Sequence, residues 1–236
     1  MITPYAPRPV RNPVMFQSWR RLTFLHWRYP ADAIRKLLPQ QVALDTFDGA
    51  AWVGLTPFLL ANLHPPFLAP FPWISHFPET NVRTYVTGPD GEPGVWFFTL
   101  EAGRLAAVLG ARTLYRLPYR WSDMRVSVRG RETRYWSARK WPFGCGATDI
   151  VVESGDPIAP GEFDHFLTAR YRLYTNIGTK LAFAQIEHAP WPLRSARVLR
   201  LGQTLVEESG VPRPCGEPVV HYSEDIRVRI GTLEIP

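Results

Sequence analysis

The chain is poor in lysine and cysteine, and no apolar run in it is long enough to cross a bilayer. Each shortage excludes something. Lysine occurs only at positions 36, 140 and 180, so nearly all the positive charge is arginine, and the arginines are scattered. A net charge of +6 without a basic block or a nucleic-acid fold signature argues against a nucleic-acid partner. Cys145 and Cys215 lack metal-type spacing, which fits a reduced cytosolic chain. No stretch approaches the roughly 20 apolar residues of a membrane span, and residues 1–13 hold Pro and Arg but no apolar signal-peptide core. A cytoplasmic protein with no membrane partner is expected. A glycine-rich phosphate loop and a Gly-x-Ser-x-Gly elbow are also missing, as is any His-x-His or His-Glu-x-x-His pair. No cofactor and no metal are expected. His64 and His76, with Glu79, form the one combination weighed as a metal site, against the ordinary reading of hydrogen-bonded loop histidines.

What is present is a folded chain. Its 236 residues are 45% hydrophobic and 20% charged, enough for a substantial core and too apolar for disorder. Residues 1–13 read as an arm and residues 14–236 as a single domain. Strands are expected over 17–28, 79–87, 95–100, 124–128, 133–138, 169–175, 180–188, 195–201 and 219–230, and a hairpin over 42–60 turning at Asp48-Gly49. Short helices are expected after Pro30, over 105–109 ending at Gly110, over 162–167 and near Val206. Residues 62–78, rich in Pro and aromatics, read as a long loop folded back over the body as a lid. Strands outnumber helices, so the fold class is mainly β (α+β), one mainly antiparallel domain, closed or sandwich-like, with a few short helices.

The chemistry concentrates in one strand. Read with period two, residues 79–86 place Glu79, Asn81, Arg83 and Tyr85 on one face and Thr80, Val82, Thr84 and Val86 on the other. That polar face is either the wet side of an antiparallel sheet or the floor of a cavity that orients a small ligand. Arg20 shares a strand face with Leu22 and Phe24, at a sheet edge or a pocket. Arg112, Tyr119 and Arg120 are either surface packing or the closing wall of the same pocket.

Residues 44–49, 77–86, 117–119, 167–174 and 190–193 resemble the YqjF-like family of bacterial proteins, and the similarity runs over nearly the whole chain. The resemblance implies membership of the acetoacetate decarboxylase-like superfamily, a closed, mostly antiparallel β structure around a buried cavity. More distantly, residues 20–39 are similar to the first strand and helix of acetoacetate decarboxylase itself, which puts Arg20 at its cavity arginine and Glu79 at its cavity glutamate. Residues 111–120 are similar to the segment that ends in that enzyme's Pro-Lys-Lys. There Tyr119 replaces the Schiff-base lysine and Arg120 replaces the neighbouring lysine. A phenol and a permanently charged guanidinium cannot form an imine, so Schiff-base decarboxylation is not expected.

The expectation is a protein that holds a small polar carboxylate or carbonyl ligand through Arg20, Asn81, Arg83, Arg112 and Arg120. Two alternatives stay open. One is a proton-transfer enzyme, an isomerase or lyase, that uses Glu79 and Tyr119 as catalytic groups. The other is a structural or interaction protein whose cavity is filled by its own Arg–Glu pairs. Self-association is left open.

Overall fold

A computed structural model describes residues 2–236. In chain order the elements are β1 (Met15–Pro30), α1 (Ala31–Arg35), β2 (Ala43–Leu44), β3 (Ala50–His64), β4 (Phe77–Thr87), β5 (Pro93–Ala102), α2 (Leu105–Leu114), β6 (Tyr119–Arg129), β7 (Glu132–Trp141), β8 (Ala147–Pro157), α3 (Glu162–Thr168), β9 (Arg172–Ile177), β10 (Lys180–His188), β11 (Leu193–Gln203), α4 (Leu205–Glu208) and β12 (Val219–Glu234). All the described strands join one sheet that closes on itself. The order β1-β3-β4-β5-β9-β10-β12 returns to β1 and makes a ring, and β6-β7-β8-β11 arch from β5 to β12 on one side. Pairing is antiparallel except where β5 meets β6 and β9, so a mainly β fold with short helices is what forms.

Two apolar cores follow from this closure. One fills the ring, with Leu22, Phe24, Phe58, Tyr85, Leu100 and Ile186 among its members. The other gathers Leu25, Val53, Leu55 and Val82 from β1, β3 and β4 with Tyr135, Ile150 and Val152 from β7 and β8. Strand β4 belongs to both because its alternation is strict: Tyr85 joins the first core, Val82 and Val86 the second. Strand β3 passes close behind it. A Cβ at Gly54 would lie 2.9 Å from the His26 ring, so only glycine lets the strand run past that histidine.

Several expectations change. The Asp48-Gly49 turn forms, with both residues at positive φ, but it closes a single bridge between Phe47 and Ala50, and β2 pairs with β4 rather than β3. Helix α2 continues through Gly110 to Leu114, because Gly110 is not in the left-handed conformation that ends helices. Strand β8 was not anticipated. Its inward residues are Thr148, Ile150, Val152 and Ser154, and the outer two are hydroxyls, so the apolar alternation is too short to read as a strand. Residues 65–76 do not fold back over the body. Phe67, Leu68, Phe71 and Trp73 are exposed, and the segment is tied down only near its end. There Ser75 Oγ donates to Leu63 O (2.5 Å) and Arg104 Nε donates to Trp73 O (2.6 Å).

Candidate ligand cavity

All seven strands of the ring, with β6, α2 and α3, contribute to one cavity of about 290 Å³. Of the arch only β6 reaches this cavity, whereas β7 and β8 contribute to the second core. Glu79, Asn81 and Arg83 project into it from β4, as period two dictates. Each is more than nine-tenths buried. Beside them lie Thr56 from β3, paired opposite Asn81, and Arg170 from the segment between α3 and β9. Thr168, His188 and Tyr119 complete the polar lining, apart from Gln17, whose side-chain oxygen accepts from Trp19 Nε1, and Tyr115, whose hydroxyl donates to Gly231 O at 3.2 Å.

The hydrogen bonding of this group is incomplete. Arg83 reaches Leu167 O at 3.5 Å through Nη2, but its Nε, Asn81 Oδ1 and Thr56 Oγ1 are buried without partners. Arg83 makes no ion pair among the described residues, and only the faces of Phe24 (5.3 Å) and Tyr85 (5.9 Å) lie against its charge. Arg170 is different. Asp45 Oδ2 stands 3.0 Å from its Nη2, out of line for a good hydrogen bond, and Arg170 Nε and Nη1 are also unpartnered. Burial lowers Arg170 to about 10, so it stays charged at neutral pH. With one aspartate against two guanidinium groups, the inner end of the cavity is net positive.

Glu79 adds no compensating charge. Burial pushes its pKa to about 8, opposed only by the hydroxyl of Tyr119, which donates to Oε2 at 3.1 Å. At neutral pH Glu79 is therefore a neutral carboxyl. Burial, followed by the adjacent Glu79, in turn raises the Tyr119 phenol well above its usual range. His188, lowered by burial to about 4, is neutral too. Its Nδ1 lies 2.7 Å from Ala189 O, which fixes the proton on that nitrogen. Behind Arg83, Tyr85 donates to Leu167 O and so must accept from His26 Nε2, an arrangement that holds the cavity wall.

Of the residues singled out in the sequence, the structure brings Glu79, Asn81, Arg83 and Tyr119 into the cavity and leaves the others outside. Arg20 is the first correction. Arg21 adopts φ +51°, and the β1–β3 register slips between Arg20 and Leu25. This bulge puts Trp19 and Leu22 on the cavity side together and turns Arg20 outward to Asp225 (3.2 Å). Arg120 follows Tyr119 on a regular strand and so faces the other way, opposite Glu101. Arg112 braces the site from behind, donating from Nη1 to Tyr119 O (2.8 Å) and lying over the Trp141 ring. His64 stacks on Phe16, His76 is exposed, and neither joins Glu79 in the cavity. Sequence reasoning missed Arg170, Thr56 and His188. The alternation of β10 did place His188 opposite Glu187, but nothing marked that side as inward.

The three lysines all lie outside the cavity. Lys36 and Lys180 are exposed, and Lys140 sits 3.6 Å from Asp123 over the Trp121 ring.

Comparison with known proteins is consistent along the whole chain. Residues 16–227 match the model of the DUF2071 family, described as an uncharacterized conserved protein. The uncharacterized protein YqjF of Bacillus subtilis (strain 168) is 37% identical over 213 residues, covering 89% of this chain and 88% of its own. Among solved structures, the enduracididine biosynthesis enzyme MppR complexed with pyruvate superposes with a TM-score of 0.64 at 12% identity, covering 97% of this chain and 92% of that one. The acetoacetate decarboxylase of Legionella pneumophila gives 0.58 at 14% identity, over 97% and 91% of the two chains. An acetoacetate decarboxylase-like enzyme from Sphingomonas wittichii RW1 gives 0.63 at 12%, over 98% and 95%. At these identities the likeness is one of fold.

Proposed function

This chain belongs to the DUF2071 family, and from the geometry of its cavity we propose that it binds a small carboxylate, or a carbonyl compound carrying one, without Schiff-base chemistry. One observation carries the reading: Arg83 is a buried guanidinium with no carboxylate partner. An unpaired buried charge costs several kcal/mol, and an anionic ligand offsets that cost directly. Arg83 Nε, Asn81 Oδ1 and Thr56 Oγ1 then supply unpaired hydrogen-bonding groups, with Arg170 as a second cation. Among the described residues no amine stands in the cavity to form an imine with a keto group. The open volume speaks against a core filled by its own ion pairs.

The test is calorimetric titration of acetate and butyrate into the wild type and Arg83→Met at pH 7. The substitution should weaken binding at least about 30-fold, equivalent to ~2 kcal/mol, the low end for breaking a buried charge pair. Equal affinities in the two proteins contradict the proposal.

A second reading rests on a different observation, the contact between Tyr119 and Glu79. A carboxyl titrating near 8 beside a phenol donor suits proton transfer at a carbon next to a carbonyl, Glu79 serving as acid below that pH and base above it. This reading expects turnover within a panel of keto and hydroxy acids. The rate should show an inflection near pH 8 and fall at least about 100-fold in Glu79→Gln. Binding without turnover of any panel member leaves the binding reading in place and excludes this one.

A further inference from the structure

The charged lining residues of the cavity are buried and its exposed lip is apolar. Its polar lining residues, Gln17, Thr56, Glu79, Asn81, Arg83, Tyr115, Thr168, Arg170 and His188, are all buried, and Tyr119 is half-buried. The lining residues that are exposed, Ile74, Ala106 and Leu114, are all apolar. Along β4 the order runs from Arg83 through Asn81 and Glu79 toward Ile74. The first three span about 13 Å at a strand rise of ~3.3 Å per residue. Helix α2 forms the other lip. The face it turns to the cavity is Ala106, Ala107, Gly110, Ala111 and Leu114, and a Cβ placed on Gly110 would meet nothing within 4 Å.

Resting on the carboxylate reading above, we infer that the ligand is amphipathic, a medium-chain acid whose carboxylate sits at Arg83 and Arg170 and whose hydrocarbon tail runs out between α2 and residues 63–74. A purely polar ligand would leave the apolar half of this channel facing water-filled space. A purely apolar one would leave both guanidinium groups unsatisfied. The volume sets the length. About 290 Å³ holds on the order of ten water-sized groups at ~30 Å³ each, which corresponds to an acid of roughly six to nine carbons.

The experiment titrates the straight-chain acids from acetate to decanoate into the wild-type protein, with octanol as the uncharged control. Affinity should rise about fourfold per methylene over the middle of the series and level off once the tail leaves the mouth. Octanol should bind at least tenfold more weakly than octanoate. Gly110→Leu adds a side chain into open space on a helix that prefers leucine to glycine, so folding tolerates it. It should weaken octanoate at least tenfold more than it weakens acetate. If short acids bind but affinity is flat along the series, the amphipathic inference is overturned and the carboxylate site stands. If no acid binds, both fall. If octanol binds as well as octanoate, the channel is an apolar site and the carboxylate reading is overturned with the inference.

Discussion

Replacing Arg139 with methionine should destabilise the fold by about 3–5 kcal/mol, the usual cost of stripping one partner from a buried ion pair. Arg139 lies opposite Glu101 outside the cavity, and both side chains are almost wholly buried. The contact is bidentate, with Nη2 donating to Oε1 at 2.6 Å and Nε sharing both carboxylate oxygens at 3.2 Å. Ser122 Oγ and Thr99 Oγ1 donate to the same carboxylate, so Glu101 has all its acceptors used. Removing the guanidinium takes away the only cation hydrogen-bonded to the Glu101 carboxylate among the described residues and leaves it with its hydroxyl donors, Arg120 standing opposite on the neighbouring strand. For a chain of this length, each kcal/mol moves Tm by about 2–4 °C, so the midpoint should fall by roughly 6–20 °C. The double variant Arg139→Met with Glu101→Leu should recover most of that loss, because a packed apolar pair does not need the charge. Arg139 Nη1 also stands 3.8 Å from Glu208 Oε2 at the edge of the pair, and a single variant that melts within 2 °C of the wild type would show that the buried contact contributes little to stability. Ligand affinity in the folded protein should not change.

The second large effect is a pH-dependence of stability that belongs to Glu79. Its folded pKa stands near 8 against an ordinary value of 4.5. Below pH 4.5 both the folded and unfolded chains hold the proton, and burying the neutral carboxyl carries no ionisation penalty. As pH rises above 4.5 the unfolded chain ionises first, so stability falls until the folded carboxyl also ionises near 8, after which it is level. The full drop is on the order of 5 kcal/mol over that window. Glu79→Gln cannot ionise and keeps an amide oxygen for Tyr119 to donate to. Relative to the wild type, the variant should therefore gain stability steadily from pH 4.5 to 8 in chemical denaturation, and gain nothing further above that. Other titrating groups act alike in both proteins and cancel in the difference. A difference between the two that does not change with pH would mean that Glu79 is hydrated and ionised at neutral pH. The proton-transfer reading would then lose its acid.

These two carboxylates show how differently one residue type behaves across a single sheet. Glu101 meets an arginine and two hydroxyls, and Glu79 meets one phenol. The first is locked into hydrogen bonds on every side, and only the second faces open space.

How much of this was legible in the sequence depended on regularity. The polar face of β4 was readable because nothing interrupts its alternation, and the resemblance to the acetoacetate decarboxylase-like superfamily pointed to a closed sheet around a cavity. Arg20 was misplaced because its neighbour Arg21, an ordinary non-glycine residue, takes up positive φ, and no residue type announces such a bulge. Arg120 was within reach of the sequence. It adjoins Tyr119, and once residues 119–129 are known to be a strand the two must face opposite ways. The strand expected over 124–128 starts too late to include the two residues, and that hid it. Arg170 was missed because the strand expected over 169–175 begins only at Arg172. Arg170 sits instead on the connection between α3 and β9, where no periodicity assigns a face, and only the closure of the ring brings it near Arg83. In β8 the hydroxyls of Thr148 and Ser154 point inward and are satisfied there, Thr148 by Ser137 (2.8 Å) and Ser154 by Arg131 O (3.2 Å), so polar residues occupy positions that pattern reading reserves for apolar ones.

The most direct test of the central claim is a crystal structure of the protein grown with octanoate. The carboxylate is expected within hydrogen-bonding distance of Arg83 Nε, flanked by Thr56 and Arg170, with the chain passing Glu79 and leaving beside Gly110 and Leu114. A reversed acid, its carboxylate at the mouth and its tail against Arg83, would contradict the account, and so would a cavity holding only water at saturating ligand.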